Sequence, residues 1–345
     1  MEKKRVHYLS LASIVSAFAV VMLHTNGCFW MFSTDRYWMT ANIIECVMYF
    51  AVPVFFMISG ATLIDYRKRY STKEYLQKRV KKTVIPFVIW SVVGVIFLVA
   101  RGDMQMPSGA EGMKDVIQKL LNAEIVSVYW FFVPLFGMYL CIPLISAVKE
   151  ELRKSVFTFL IVAGFVCNSL LPLLCEVFAF KYTNRVTIDV VSGYLIYVLV
   201  GYLISTNEIP RRWRLISYVL AIIGLGMHMI GTYVLSMENG GIVSLYKGYT
   251  NVPTVLYAIG IFIFIKEVGN RIRNEKLVRV IEGLSGYTFA IYLLHWFVML
   301  QLIETFSIDI LSITYRVGMP ILIFFISIII AWIIRKVPVL KHILP

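Results

Sequence analysis

The sequence predicts an all-α, polytopic membrane bundle of about ten transmembrane helices with both termini in the cytoplasm. Three observations carry this. Of 345 residues, 59% are hydrophobic and only 15% charged, well above the apolar share of a soluble domain, about 45 to 50%. Apolar runs long enough to cross a bilayer recur along the whole chain. The basic residues fall mostly in alternate connecting segments, as the positive-inside rule requires.

The apolar runs lie at 9 to 27, 42 to 65, 84 to 100, 128 to 148, 155 to 174, 188 to 205, 214 to 235, 252 to 266, 284 to 302 and 314 to 334. With the N-terminus inside, the inner segments, starting from Lys3, Lys4 and Arg5, hold 25 of the 33 lysines and arginines, and 8 of these lie between residues 66 and 83. An odd number of spans places one basic terminus outside, so an even count fits. The net charge of +13 is then a topological signal, and no nucleic-acid partner is needed to explain it.

The first apolar run lacks a small-residue cleavage site, and nine more follow, so it reads as a retained span rather than a signal peptide. No linker, low-complexity tract or repeat divides the chain, and one membrane domain over 1–345 is expected. Trp30 and Trp38 near the outer surface, and Trp213 and Trp332 near the inner one, fit interfacial belts. The inner segment 66 to 83 is basic with helical character and suits contact with membrane lipids. Cys28, Cys46, Cys141, Cys167 and Cys175 show no C-x-x-C pair, so neither a metal site nor a disulfide framework is expected. Cys28 and Cys175 both fall on the outer side, where a pair can form.

An ionisable side chain inside a span is a functional candidate by default. His24 lies about 22 Å along the first span at ~1.5 Å per residue, toward the outer half. Glu45, on the returning span, reaches a similar depth. A carboxylate and an imidazole at one level make either a base with its orienter or a pair that neutralises itself between helices. In S-G-Y-T-F-A-I-Y-L-L-H-W, Ser285, Tyr292 and His295 are spaced by 7 and 3, which places them on one helical face. That stripe lines a cavity or supplies interhelical hydrogen bonds. His228, among Gly224, Gly226 and Gly231, reads as a site of close helix packing.

Lys78, Arg79, Lys81 and Lys82 precede Pro86, which starts a helix or kinks one. Four cations in five residues suit a polyanion such as a nucleotide phosphate, or anionic lipid. The run Y-W-F-F-V-P-L-F-G-M-Y-L-C-I-P, with Trp130, Tyr139 and Pro143, reads as packing. No G-x-S-x-G turn, H-E-x-x-H helix or phosphate loop occurs.

In order, A-V-V-M-L-H at His24, V-P-V-F-F-M-I-S-G from Val52 to Gly60, K-R-V-K-K-T-V-I-P, the Trp130 run and F-A-I-Y-L-L-H resemble the acyltransferase 3 family of integral membrane O-acyltransferases. The likeness covers roughly the first 145 residues and 284 to 296. It implies a multi-pass cell-membrane enzyme that moves an acyl group, commonly acetyl, from cytoplasmic acyl-coenzyme A to a hydroxyl of a cell-surface glycan or lipid-linked acceptor. No tightly bound cofactor is implied, and a homodimer is compatible with the sequence. By resemblance His24 is the catalytic histidine, with Glu45 as its support. Arg79 and Lys82 match the family's inner-loop base pair, with Lys78 beside them, and Tyr292 and His295 match its late aromatic and histidine motif. These five are the expected donor-binding residues. The chain departs from the family at Ser13, where an arginine stands eleven positions before the histidine, and at Ser10, where aspartate is common. Serine carries no charge to replace that cation, and Arg5 is about 12 Å further back along a helix.

Two rival readings are a transporter using His24, Glu45 and His295 as a proton or solute path, and a family member that binds acyl-coenzyme A without turnover. Against the transporter, the chain shows no paired halves with Gly/Pro-interrupted spans at corresponding positions.

Overall fold

The computed structural model describes residues 7–180, 193–338 and 343–344. It is helical, with no strand among them. In chain order the helices are α1 (His7–Thr25), α2 (Arg36–Lys68), α3 (Thr72–Arg101), α4 (Gly109–Leu121), α5 (Ser127–Ser146), α6 (Glu150–Val177), α7 (Leu195–Thr206), α8 (Arg211–Asn239), α9 (Val252–Arg271), α10 (Glu275–Ser285), α11 (Thr288–Phe306) and α12 (Ile313–Lys336). All but α4, α7 and α10 are long and apolar enough to cross a membrane, which makes nine among the described residues. The sixth expected run corresponds to the shorter α7. Its expected beginning at 188–192 lies outside the described residues, as do Lys3, Lys4 and Arg5.

Helix α1 is the centre of the bundle, packed against α2, α9, α10, α11 and α12. Its composition permits this: Ala12, Ser16, Ala17 and Ala19 are buried, and small side chains let neighbouring backbones approach where no hydrophobic force favours helix over lipid. A close approach joins α2 to α7. A Cβ added at Gly60 would overlap the carbonyl of Val198, and one at Gly201 would overlap that of Met57. The two glycines interlock, so the glycine ending V-P-V-F-F-M-I-S-G serves packing. Arg153 ties the same region together, donating to Asp65 at 2.6 Å and to the Tyr202 hydroxyl at 3.0 Å.

Helix α3 runs continuously across the position where a start or a kink is expected. Pro86 has no N–H for the carbonyl four residues back, and its ring crowds that carbonyl. The preceding turn widens instead, with Val80–Val84 in π geometry and the N–H of Ile85 bonded to the oxygen of Val80. Another widened turn, Val166–Leu170, precedes Pro172 in α6. Such turns recur at functional sites because they rotate the side chains they carry.

Several expectations on position are corrected. Trp38 is not interfacial: it is fully buried, and its indole N–H donates to the Phe29 carbonyl at 2.8 Å. Trp213 and Trp332 are exposed, as a belt requires. Cys28 and Cys175 are both unpaired, and Cys28 is buried. Burial also pushes its thiol pKa up, so it is a poor partner for disulfide exchange. Ser285 ends α10 and is separated from Tyr292 and His295 by a bend at Gly286–Tyr287, so the three do not share one helix.

Candidate functional site

A cavity of about 870 Å³ opens inside the bundle, walled by α1, α2, α3, α5, α11 and the segment before α9. The periodicity of α1 explains its part. Eleven residues are close to three turns, so Ser13 and His24 stand on one face, and both line the cavity. The Ser13 hydroxyl donates to the Leu9 carbonyl at 2.9 Å and brings no charge to the wall.

His24 meets His295, 271 positions later in the chain. Nδ1 of His24 lies 2.7 Å from Nε2 of His295, and the rings are nearly parallel with centroids 4.9 Å apart. Nδ1 of His295 lies 3.0 Å from the carbonyl oxygen of Ile291. Because a carbonyl only accepts, the proton is assigned to Nδ1 of His295, which leaves its Nε2 as an acceptor. Nδ1–H of His24 must then donate to it. The remaining nitrogen, Nε2 of His24, makes no hydrogen bond among the described residues and belongs to a ring that lines the cavity. A neutral imidazole held this way presents its lone pair to whatever occupies the cavity, and its second nitrogen can share the charge when a proton arrives. His295 itself is fully buried behind His24 and does not line the cavity.

The expected pairing of His24 with Glu45 is not formed. Glu45 lines the cavity, but its carboxylate accepts from Lys247 at 2.8 Å, and both side chains are almost wholly buried. The ammonium of Lys247 also lies 3.8 Å from the centroid of the Tyr49 ring and over Phe29 and Trp30, where the ring faces stabilise a cation. The physical reason for the altered pairing is charge: a buried carboxylate is satisfied far better by an ammonium than by an imidazole already bonded elsewhere. Lys247 escaped sequence reading because it sits in a loop between spans and looks like an ordinary outer base.

On the wall contributed by α3, Arg79 and Lys82 line the cavity while Lys78 does not. Lys78 lies 3.7 Å over the Tyr70 ring instead. Arg79 is held between the rings of Tyr75 and Tyr139. Among the described residues its Nε is buried without a hydrogen-bond partner, and neither Arg79 nor Lys82 forms an ion pair. Both are carried on or beside the widened turn before Pro86. A guanidinium donor of this kind beside a second cation has the chemistry that suits an anion.

Aromatic residues form much of the remaining wall. Trp130 and Tyr249 are stacked, Tyr249 stacks on Tyr49 with centroids 4.1 Å apart, and all three line the cavity with Trp30. Tyr292 lines it too, and its hydroxyl donates to the Val128 carbonyl at 2.5 Å while Tyr129 donates to Leu293 at 2.8 Å. This reciprocal brace fixes the start of α5 against α11. Trp130 and Tyr139 are therefore cavity walls as well as packing. Of the other intramembrane histidine, His228 is buried against Tyr49 in a third widened turn and does not line the cavity.

No curated protein and no solved structure matches the chain. A family model described as an acyltransferase domain matches residues 6–336, which extends the likeness across the middle of the chain, where the motifs are silent. On that match, and with helices long and apolar enough for a multi-pass membrane protein, the chain belongs to the acyltransferase 3 family.

Proposed function

We propose that this protein is a cell-membrane O-acyltransferase that takes an acyl group, acetyl in the simplest case, from cytoplasmic acyl-coenzyme A. The acceptor is a hydroxyl of a cell-surface glycan or lipid-linked acceptor. The observation that carries the reading is one cavity holding both a free imidazole nitrogen, Nε2 of His24, and an unmatched cation pair, Arg79 with Lys82.

In this reading Arg79 and Lys82 hold the donor's phosphates, and the basic end of the bundle faces the cytoplasm. The acceptor lies toward Trp130, Tyr249 and Glu45, where ring faces and a carboxylate suit a hydroxylated ring. Nε2 of His24 takes the hydroxyl proton as the oxygen attacks the thioester carbonyl. The carbon–sulfur bond breaks, and the proton passes to the departing thiolate. His295 acts as a positioning residue that fixes the tautomer. Glu45, neutralised by Lys247, shapes the wall and is left without a share in the proton transfer. A route through an acyl-histidine uses the same nitrogen as nucleophile, and trapping of a labelled acyl-protein separates the two.

The test is release of free coenzyme A from labelled acetyl-coenzyme A by the purified protein in nanodiscs, beside His24→Ala. A histidine base supplies about 10²- to 10⁴-fold in rate, so the variant should lose that much while still binding donor. Donor binding without release by the wild type favours the non-catalytic family member. Neither binding nor release favours the transporter.

A further inference from the structure

Helix α10 is the most amphipathic element outside the spans, and its surroundings divide it into three strips. The Asn274 side chain caps its start by accepting from the N–H groups of Lys276 and Leu277. One strip docks on the bundle: Ile281 is buried, and Glu282 pairs with His7 at the start of α1 at 2.9 Å. The next strip, Leu277 and Val280, is apolar yet 47% and 55% exposed. Beyond it come Lys276 and Arg279, which with Arg273 are exposed and form no ion pair among the described residues. Among the described residues Glu275 is the one acid on that exposed side of α10, so the strip carries a net positive charge.

We propose that α10 lies in the membrane interface, with Leu277 and Val280 in the acyl boundary and Lys276, Arg279 and Arg273 on the phosphates of anionic lipid. An apolar stripe flanked by unpaired bases, on a helix whose opposite side is already docked, is the pattern that such a surface recognises. A second protein is a poorer occupant: two apolar side chains fall far short of the roughly 1,000 Å² that a specific protein interface buries.

The placement matters for the site. Helix α10 is bonded to α1, which carries His24, and leads directly into α11, which carries His295. The bend between them is held by Arg335, which donates to the Gly286 carbonyl at 2.9 Å and covers the Tyr287 ring. Anionic lipid that seats α10 therefore acts on the relative position of the two histidine helices. This last step rests on the proposed acyl transfer, whereas the seating itself does not.

The experiment uses the full chain in nanodiscs of phosphatidylcholine alone or mixed with phosphatidylglycerol. A nitroxide on Val280→Cys, with the native cysteines replaced, should be reached by oxygen and shielded from a water-soluble nickel complex. A photoactivatable phosphatidylglycerol should label the 275–285 peptide more than its phosphatidylcholine counterpart. Lys276→Gln with Arg279→Gln should reduce that preference about fivefold for each base removed. A water-exposed nitroxide, or equal labelling by the two lipids, overturns the proposal. If seating is seen and coenzyme A release is found, release should rise with phosphatidylglycerol in the wild type and not in the double variant. A rise that persists in the double variant overturns the coupling. Seating without any release leaves α10 as proposed and removes the acyl-transfer reading instead.

Discussion

Two buried polar pairs border the same cavity, and they have opposite consequences. Glu45 and Lys247 satisfy each other as a closed charge pair, with the ammonium resting on aromatic faces. His24 and His295 also bond to each other, but their chain of donors runs one way, from His24 through His295 to the Ile291 carbonyl. It leaves a lone pair unspent at the cavity. Burial beside a cavity is therefore not enough to make an ionisable group chemically available. What counts is whether satisfying the group leaves a site over.

The comparison is broken most forcefully at the closed pair. Glu45→Ala strands a buried ammonium and should destabilise the protein by about 3 to 5 kcal/mol, read as a lower unfolding midpoint in lipid. Adding Lys247→Met should recover much of that loss, because the pair is then removed together. If Glu45→Ala kept full stability and instead abolished turnover, the assignment of the two pairs would be reversed.

A smaller effect is expected at the open pair. His295→Ala should cost about 10²-fold in kcat through misplacement and loss of the fixed tautomer, with little change in apparent donor affinity. His295→Gln, which can still accept from His24, should restore part of the rate. Equal losses in both variants would point to packing rather than proton positioning. The glycine crossing of α2 and α7 gives a control outside both pairs: Gly60→Ala should cost about 1 to 3 kcal/mol by overpacking, with the kinetics of surviving protein unchanged.

The mildest change is expected at the donor end. Arg79→Gln with Lys82→Gln should raise the apparent KM for the donor more than it lowers kcat, since phosphate contacts act mainly as uniform binding. An unchanged KM would assign these bases to topology alone.

Much of the helical architecture is readable in the sequence, because hydropathy acts locally. Each apolar run from 9 to 27 through 314 to 334 meets a helix in the described residues. His24, Arg79, Lys82 and Tyr292 are recognisable as candidates from local context, and all four line the cavity. The pairings are not readable. Nothing in the periodicity around His24 indicates a partner 271 positions away, and nothing marks Lys247 as the mate of a carboxylate 202 positions before it. The bend at Gly286–Tyr287 also defeats periodicity, since Ser285 keeps helical spacing with Tyr292 but belongs to another axis. Trp130 and Tyr249 carry no signal that separates a cavity wall from packing, because the same aromatic side chains serve both.

The most direct test of the central claim is a double-mutant cycle on coenzyme A release, with His24→Ala, His295→Ala and the two combined, in nanodiscs at saturating donor. Residues that act as one unit are strongly non-additive. The account predicts that the double variant is no slower than His24→Ala alone, since a positioner has no role once its base is gone. Losses that multiply, with the double variant slower than His24→Ala by the full His295→Ala factor, would show that the two histidines act independently and would contradict it.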